Sequence, residues 1–208
     1  MSTARDAILQ RIREAVAHAP AAEPSRKPSY RRSLELDAVE LVALFAERIA
    51  DYDVTVRETT FDRLAAALTE VCSEQGVQRL AVPLDLPDAW HPDGVELVHD
   101  DDLASSELDA VDGALTGCLL AVADTGTIVL DCGPAQGRRA LTLVPDLHIC
   151  VVFADEIVGT VPEAFERISV ERAVTFVSGP SATSDIELSR VRGVHGPRRL
   201  EVVVVVQP

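Results

Sequence analysis

The chain has no Cys-x-x-Cys pair. Its four cysteines, Cys72, Cys118, Cys132 and Cys150, stand far apart, which excludes an ordinary local zinc or iron–sulfur framework. Cys118 and Cys150 lie inside apolar runs and read as buried small hydrophobes. Cys132, beside Gly133 and Pro134, is the one candidate for a reactive thiol, although no local base accompanies it. No uncharged apolar stretch approaches the roughly 20 residues that span a bilayer. Acidic Asp6 and Glu14 and the lack of an apolar core make the N-terminal region unlike a signal peptide, so a cytoplasmic location is expected. Neither Gly-x-Gly-x-x-Gly nor Gly-x-x-x-x-Gly-Lys occurs, which removes the common dinucleotide and nucleotide phosphate loops. Aromatic residues are only 4% of the chain, so its 47% hydrophobic content must build a core from Val, Leu, Ile and Ala. Positive charge is also short. A net charge of −15 argues against binding nucleic acid or an anionic membrane, where basic residues supply most of the affinity.

The charge that is present is unevenly spread. Asp85 to Asp112 contains ten acidic residues and no Lys or Arg, and reads as a solvated surface rather than a metal cage; no metal site is expected. Basic residues gather at Arg26, Lys27, Arg31 and Arg32, at Arg138 and Arg139, and from Arg190 to Arg199. The last two groups are placed to attract an anionic ligand locally.

Periodicity predicts an amphipathic helix over about Thr3–His18, with Ile8, Leu9, Ile12 and Val16 on one face. Pro20, Pro24 and Pro28 then forbid a continuous helix, giving an extended arm and leaving the first helix to dock on a neighbouring subunit, as in a homo-oligomer. Helices are expected at Asp37–Ala50, Phe61–Gln75, Arg138–Leu143 and Val161–Ile168. Strands are expected near Val54–Val56, Arg79–Val82, Gly94–Val98, His148–Phe153 and Leu200–Val206, with a hairpin from Leu119 to Leu130. Alternating strands and helices call for an α/β fold of three layers around a mostly parallel sheet.

The densest functional signal follows the run Ala173-Val174-Thr175-Phe176-Val177, which reads as a buried strand. Ser178-Gly179-Pro180-Ser181-Ala182-Thr183 forms a turn of small residues, and Ser184 with Glu187 has capping-box spacing for a helix start. Such an arrangement points backbone N–H groups and a helix dipole at an anion. Arg190, Arg192 and His195 follow closely. A second turn, Asp124-Thr125-Gly126-Thr127, joins two apolar strands and reads alone as an ordinary β-turn. Both turns begin where strands end, so they are expected to share one crevice at the carboxyl edge of the sheet. His148 heads an apolar strand, where a hydrogen-bonded structural histidine is the usual case.

Together, Ala123-Asp124-Thr125-Gly126-Thr127, Ser178-Gly179-Pro180-Ser181-x-Thr183-x-Asp185-Ile186-Glu187 and Gly193-x-His195-Gly196-Pro197 resemble the signature blocks of the lactate-utilisation protein C family, the LutC/YkgG group of LUD-domain proteins. The resemblance spans most of the chain. It implies a NagB/RpiA/CoA-transferase-like fold, with residues 1–33 as a helical arm and 34–208 as the LUD-type domain. It also implies a part in oxidising L-lactate to pyruvate alongside separate iron–sulfur subunits. Removing a hydride equivalent from a 2-hydroxy acid needs a two-electron acceptor, and this chain carries no cluster motif or flavin fingerprint. The reading is therefore an accessory subunit with no intrinsic cofactor, binding a small anionic metabolite or docking the redox partners.

The residues expected at the ligand are Thr125, Gly126, Thr127, Ser178, Gly179, Ser181, Thr183, Ser184, Arg190, Arg192 and His195. A second class of function is a stand-alone enzyme on a phosphorylated sugar, CoA thioester or folate. There Asp124, Asp185 or Glu187 would be the general acid or base, with His195 titrating near neutral pH. A third is a purely structural binding module.

Overall fold

The computed structural model describes residues 4–17, 30–169, 171–183, 191–192 and 195–206. Most of the expected proline-rich arm and the helix start expected at Ser184–Glu187 lie outside the described residues. The chain divides into two units, Met1–Arg31 and Arg32–Pro208. In the first, α1 (Ala4–Val16) carries Ile8, Ile12 and Val16 at four-residue spacing, as its periodicity predicts.

The second unit opens with α2 (Ala38–Ala50). Asp37 caps it reciprocally with Glu40: Asp37 Oδ1 accepts the Glu40 N–H at 2.9 Å and Glu40 Oε2 accepts the Asp37 N–H at 2.9 Å. There follow β1 (Thr55–Thr59), α3 (Leu64–Gln75), β2 (Arg79–Val82), β3 (Glu96–His99), α4 (Ser105–Asp109), β4 (Gly113–Thr116), β5 (Leu120–Val122) and β6 (Thr127–Leu130). The chain continues through β7 (Leu147–Phe153), β8 (Ile157–Val158), α5 (Val161–Arg167), β9 (Thr175–Val177), β10 (Ala182–Thr183), β11 (Val191–Arg192) and β12 (Arg199–Val205).

Six of these strands form one sheet in the order β1-β12-β7-β4-β2-β3, every neighbouring pair parallel. Parallel strands are covered on both faces, which explains why β7 and β12 are near-continuous aliphatic runs. On one face Ile149, Val151, Val203 and Val205 pack on Leu64, Leu68 and Val71 of α3. On the other, Cys150, Val152, Val202 and Val204 pack on Val42, Phe45 and Ile49 of α2 and on Ala121 and Ile128. Each fully buried Val, Leu or Ile contributes about 1.5–3 kcal/mol relative to exposure, so this aliphatic centre compensates for the missing aromatics. The mostly parallel α/β architecture is as read from the sequence.

The sequence pattern did not separate out a second sheet of order β8-β5-β6-β9. β6 pairs antiparallel with both β5 and β9, Leu120 opposite Val129 and Ile128 opposite Val177. Its strands alternate with period two. Ala121 and Ile128 face the main core, while Leu120, Val122 and Val129 face Ala164 of α5. β9 is its edge strand and is half-exposed rather than buried; Phe176 points outward and rests against Phe165 at 6.0 Å between ring centroids.

The 138–143 helix and the solvated acidic run are corrected, while the expected burial of Cys118 and Cys150 holds. Residues 138–143 form successive turns, not a helix, because Arg138 is anchored sideways: its guanidinium clasps the Asp100 carboxylate at 2.8 Å twice and also donates to the Leu103 carbonyl. That pairing commits the Arg138 guanidinium to Asp100, which offsets its charge. The acidic run is also not merely solvated. The Asp100 side chain is 1% exposed, Asp85 accepts the Ala135 N–H, and Asp112 accepts the N–H groups of Gln78 and Arg79. Cys72, Cys118 and Cys150 are buried and Cys132 is exposed, and burial pushes the Cys72 thiol up to about 11. No described helix is long and apolar enough to cross a membrane.

Candidate functional site

The two turns singled out in the sequence meet. β6 and β9 are antiparallel neighbours, which sets Thr127 beside Ser178. Their hydroxyls lie 2.7 Å apart, and Thr125 Oγ1 lies 2.8 Å from Thr127 Oγ1, so three hydroxyls form one hydrogen-bonded row. The glycines serve the same junction. Gly126 has φ +58°, and a Cβ there would lie 2.5 Å from the Ile49 nitrogen at the end of α2. At Gly179 a Cβ would lie 2.4 Å from Cβ of Tyr52, just beyond the same helix. Both glycines therefore allow the loops to close on the end of α2, and Gly126 touches helix backbone instead of offering space to a ligand.

A cavity of about 270 Å³ opens beside this junction. Its wall includes Ser178, Gly179, Ser181, Ala182, His195 and His148. Thr142, Leu143 and Leu200 also border it, as do all three residues of β9. Asp124, Thr125, Gly126 and Thr127 do not border it; of these, Thr127 holds the Ser178 hydroxyl and is itself held by Thr125. Asp124 lies in the single turn Ala123–Thr125, with its N–H donating to the Gly159 carbonyl at 3.1 Å.

The cavity does not sit where the crevice was expected. His148 and Leu200 stand side by side at the amino ends of β7 and β12. The cavity thus lies at the amino edge of the main sheet and at the carboxyl end of β9. The reason is the second sheet: β5 and β9, the strands leading into the two turns, belong to it and not to the main parallel sheet.

The expected anion cradle is also altered. The Ser181 N–H donates to the Pro197 carbonyl at 2.8 Å and is not available to a ligand. Ser181 Oγ instead accepts the N–H of exposed His195 at 3.2 Å, tying the loop to the His195-Gly196-Pro197 segment. Thr183 pairs with Val191 and Ala182 with Arg192 in the short β10–β11 ladder. Ser184, Asp185, Glu187 and Arg190 lie outside the described residues. Among the residues whose side chains are described, no Lys or Arg lines the cavity. Arg198 and Arg199 are drawn instead to Asp146.

His148 is the wall residue to which the sequence reading gave only a structural part. It is 2% exposed, its Nε2 lies 2.8 Å from Thr116 Oγ1 on β4, and burial lowers its pKa from 6.5 to about 4. The available signal was a single titratable residue opening an otherwise apolar strand, and its partner lies on another strand.

The fold and site define a class: a parallel α/β domain with a small mixed sheet laid on one face, holding a metabolite-sized cavity lined by residues of both sheets. The chain belongs to the LUD domain family, whose model matches residues 4–205. It is 42% identical to lactate utilization protein C of Deinococcus radiodurans, over 95% of this chain and 93% of that protein. It is 26% identical to lactate utilization protein C of Geobacillus thermodenitrificans, over 97% and 95% respectively. The crystal structure of a DUF162 family protein from Deinococcus radiodurans, at 1.70 Å resolution, matches with a TM-score of 0.71 and 38% identity, over 82% of this chain and 99% of that one.

Proposed function

We propose that this protein serves in lactate utilisation as an accessory subunit, holding a small carboxylate metabolite in the cavity beside Ser178 and docking iron–sulfur subunits that carry the electrons. The observation that carries the reading is the 42% identity, over nearly the whole chain, to a protein named for lactate utilisation. Chemistry supports the division of labour. Oxidation of a 2-hydroxy acid to a 2-oxo acid releases two electrons and needs an acceptor. Three of the four thiols are buried, at Cys72, Cys118 and Cys150, and no two cysteines have cluster-ligand spacing, so an iron–sulfur acceptor would belong to another chain.

The test is a deletion strain lacking any second lactate dehydrogenase. It should grow normally on glucose and poorly on L-lactate, and tagged protein from lactate-grown cells should bring down a partner with iron–sulfur absorbance. Normal lactate consumption by that strain contradicts the role, and recovery of the protein alone contradicts the docking.

A further inference from the structure

His148 is the buried ionisable side chain among the described residues that border the cavity. Its hydrogen-bond partner determines which nitrogen carries the proton. Thr116 Oγ1 donates to the Gly117 carbonyl at 2.9 Å. A hydroxyl has one hydrogen, and once it is given to the Gly117 carbonyl the same oxygen accepts from His148 Nε2, 2.8 Å away. In this arrangement Nε2 bears the hydrogen. Burial keeps the ring neutral, with a pKa lowered to about 4. Nδ1 is then an unprotonated acceptor, and among the residues whose side chains are described none donates to it. With Nε2 committed to Thr116, Nδ1 is the ring atom left to meet a ligand.

The opposite chemistry lies on the loop. Ser181 Oγ accepts the His195 N–H, which leaves its own hydrogen to be donated elsewhere, while Leu143, Leu200 and Val177 supply apolar wall. An acceptor, a hydroxyl donor and an apolar surface suit a small molecule with a hydroxyl, a carboxylate and a hydrocarbon part. Resting on the role proposed above, we infer that His148 is the specificity-determining residue of the cavity: its Nδ1 accepts a hydrogen bond from the ligand hydroxyl, so a 2-hydroxy acid is held and the corresponding 2-oxo acid rejected. A keto oxygen facing Nδ1 sets acceptor against acceptor and leaves a buried group unpaired. That mismatch weakens binding by about 5- to 150-fold.

The experiment uses the full chain and three probes, L-lactate, pyruvate and propionate, which differ only at the carbon next to the carboxylate. Titration calorimetry should give lactate the advantage over both others by at least about 5-fold. The variant His148→Phe, which removes the acceptor, should level the three affinities. Nitrogen-15 spectra of the wild-type histidines near neutral pH should show His148 as the neutral Nε2–H form, a readout that needs no variant to fold. Equal affinity for lactate and pyruvate, a preference that survives in His148→Phe, or an Nδ1–H spectrum overturns the inference. Failure of all three probes to bind also overturns it. In that case the deletion strain still decides the broader role, because a docking subunit supports growth on lactate without holding it.

Discussion

Replacing Gly126 with alanine tests the packing that brings the two turns together. The residue has φ +58° and ψ +40°, the left-handed region, where an alanine costs about 1 kcal/mol by its backbone alone. The added Cβ would also lie 2.5 Å from the Ile49 nitrogen, 2.7 Å from the Arg48 carbonyl carbon and 2.8 Å from the Ile49 Cα. These are main-chain atoms of α2, so no side-chain rotation relieves the contact and the helix end must move. Overpacking of this kind costs a further 1–3 kcal/mol or so, giving about 2–4 kcal/mol in all. Gly76 provides the control: it has φ +68° and ends α3, but a Cβ there meets nothing within 4 Å. Gly76→Ala should lose only the backbone term, about 1 kcal/mol. For a chain of this size each kcal/mol lowers Tm by about 2–4 °C, so calorimetry should show a drop of about 2–4 °C for Gly76→Ala and about 4–16 °C for Gly126→Ala. Equal drops in the two variants would refute the close approach of the turn to α2.

Two further perturbations follow from buried charges. Because burial holds the His148 pKa near 4 in the fold against 6.5 ordinarily, the unfolded chain takes up the proton first as pH falls. The stability contributed by the neutral ring is full above about pH 6.5 and is lost progressively down to about pH 4, by up to about 3 kcal/mol. Urea midpoints measured across that window should fall more steeply for wild type than for His148→Gln. Comparing slopes removes the opposing effect of Glu156 and Glu201, whose pKa values burial raises; parallel slopes would contradict the burial of the ring. Arg138→Ala leaves the Asp100 carboxylate, 1% exposed, without its guanidinium and should cost about 2 kcal/mol or more in denaturant titration, whereas Asp100→Asn with Arg138 intact should cost less.

The parts of the fold written in local pattern were readable before any coordinates. β7 and β12 are near-continuous apolar segments, and α2 is framed by Asp37 and Glu40 with an apolar face at Val42, Phe45 and Ile49. What local pattern lacks is the identity of a strand's partner. Ile128 pairs with Val177 across about fifty residues, and this pairing, not composition, assigns the hairpin to a second sheet and moves the cavity to the amino edge of β7 and β12. The Arg138–Leu143 stretch has the residues of a helix, but a long-range ion pair to Asp100 holds it in turns. The candidate site divides in the same way. Ser178, Gly179, Ser181 and His195 were legible as small and polar residues around a turn, and all four border the cavity. His148 was legible only as a hydrogen-bonded structural histidine, which its burial and its bond to Thr116 bear out; its place on the cavity wall depends on strand pairing that local pattern does not carry.

The most direct test of the central claim, that this cavity is where the protein works in lactate utilisation, is to fill it and measure growth. Ala182 borders the cavity and is exposed, so Ala182→Trp adds a large side chain to its wall without burying a new group in the core. The deletion strain carrying this variant, at wild-type abundance and with Tm within a few degrees of wild type, should grow on glucose but fail on L-lactate. Growth on L-lactate at the wild-type rate would contradict the claim.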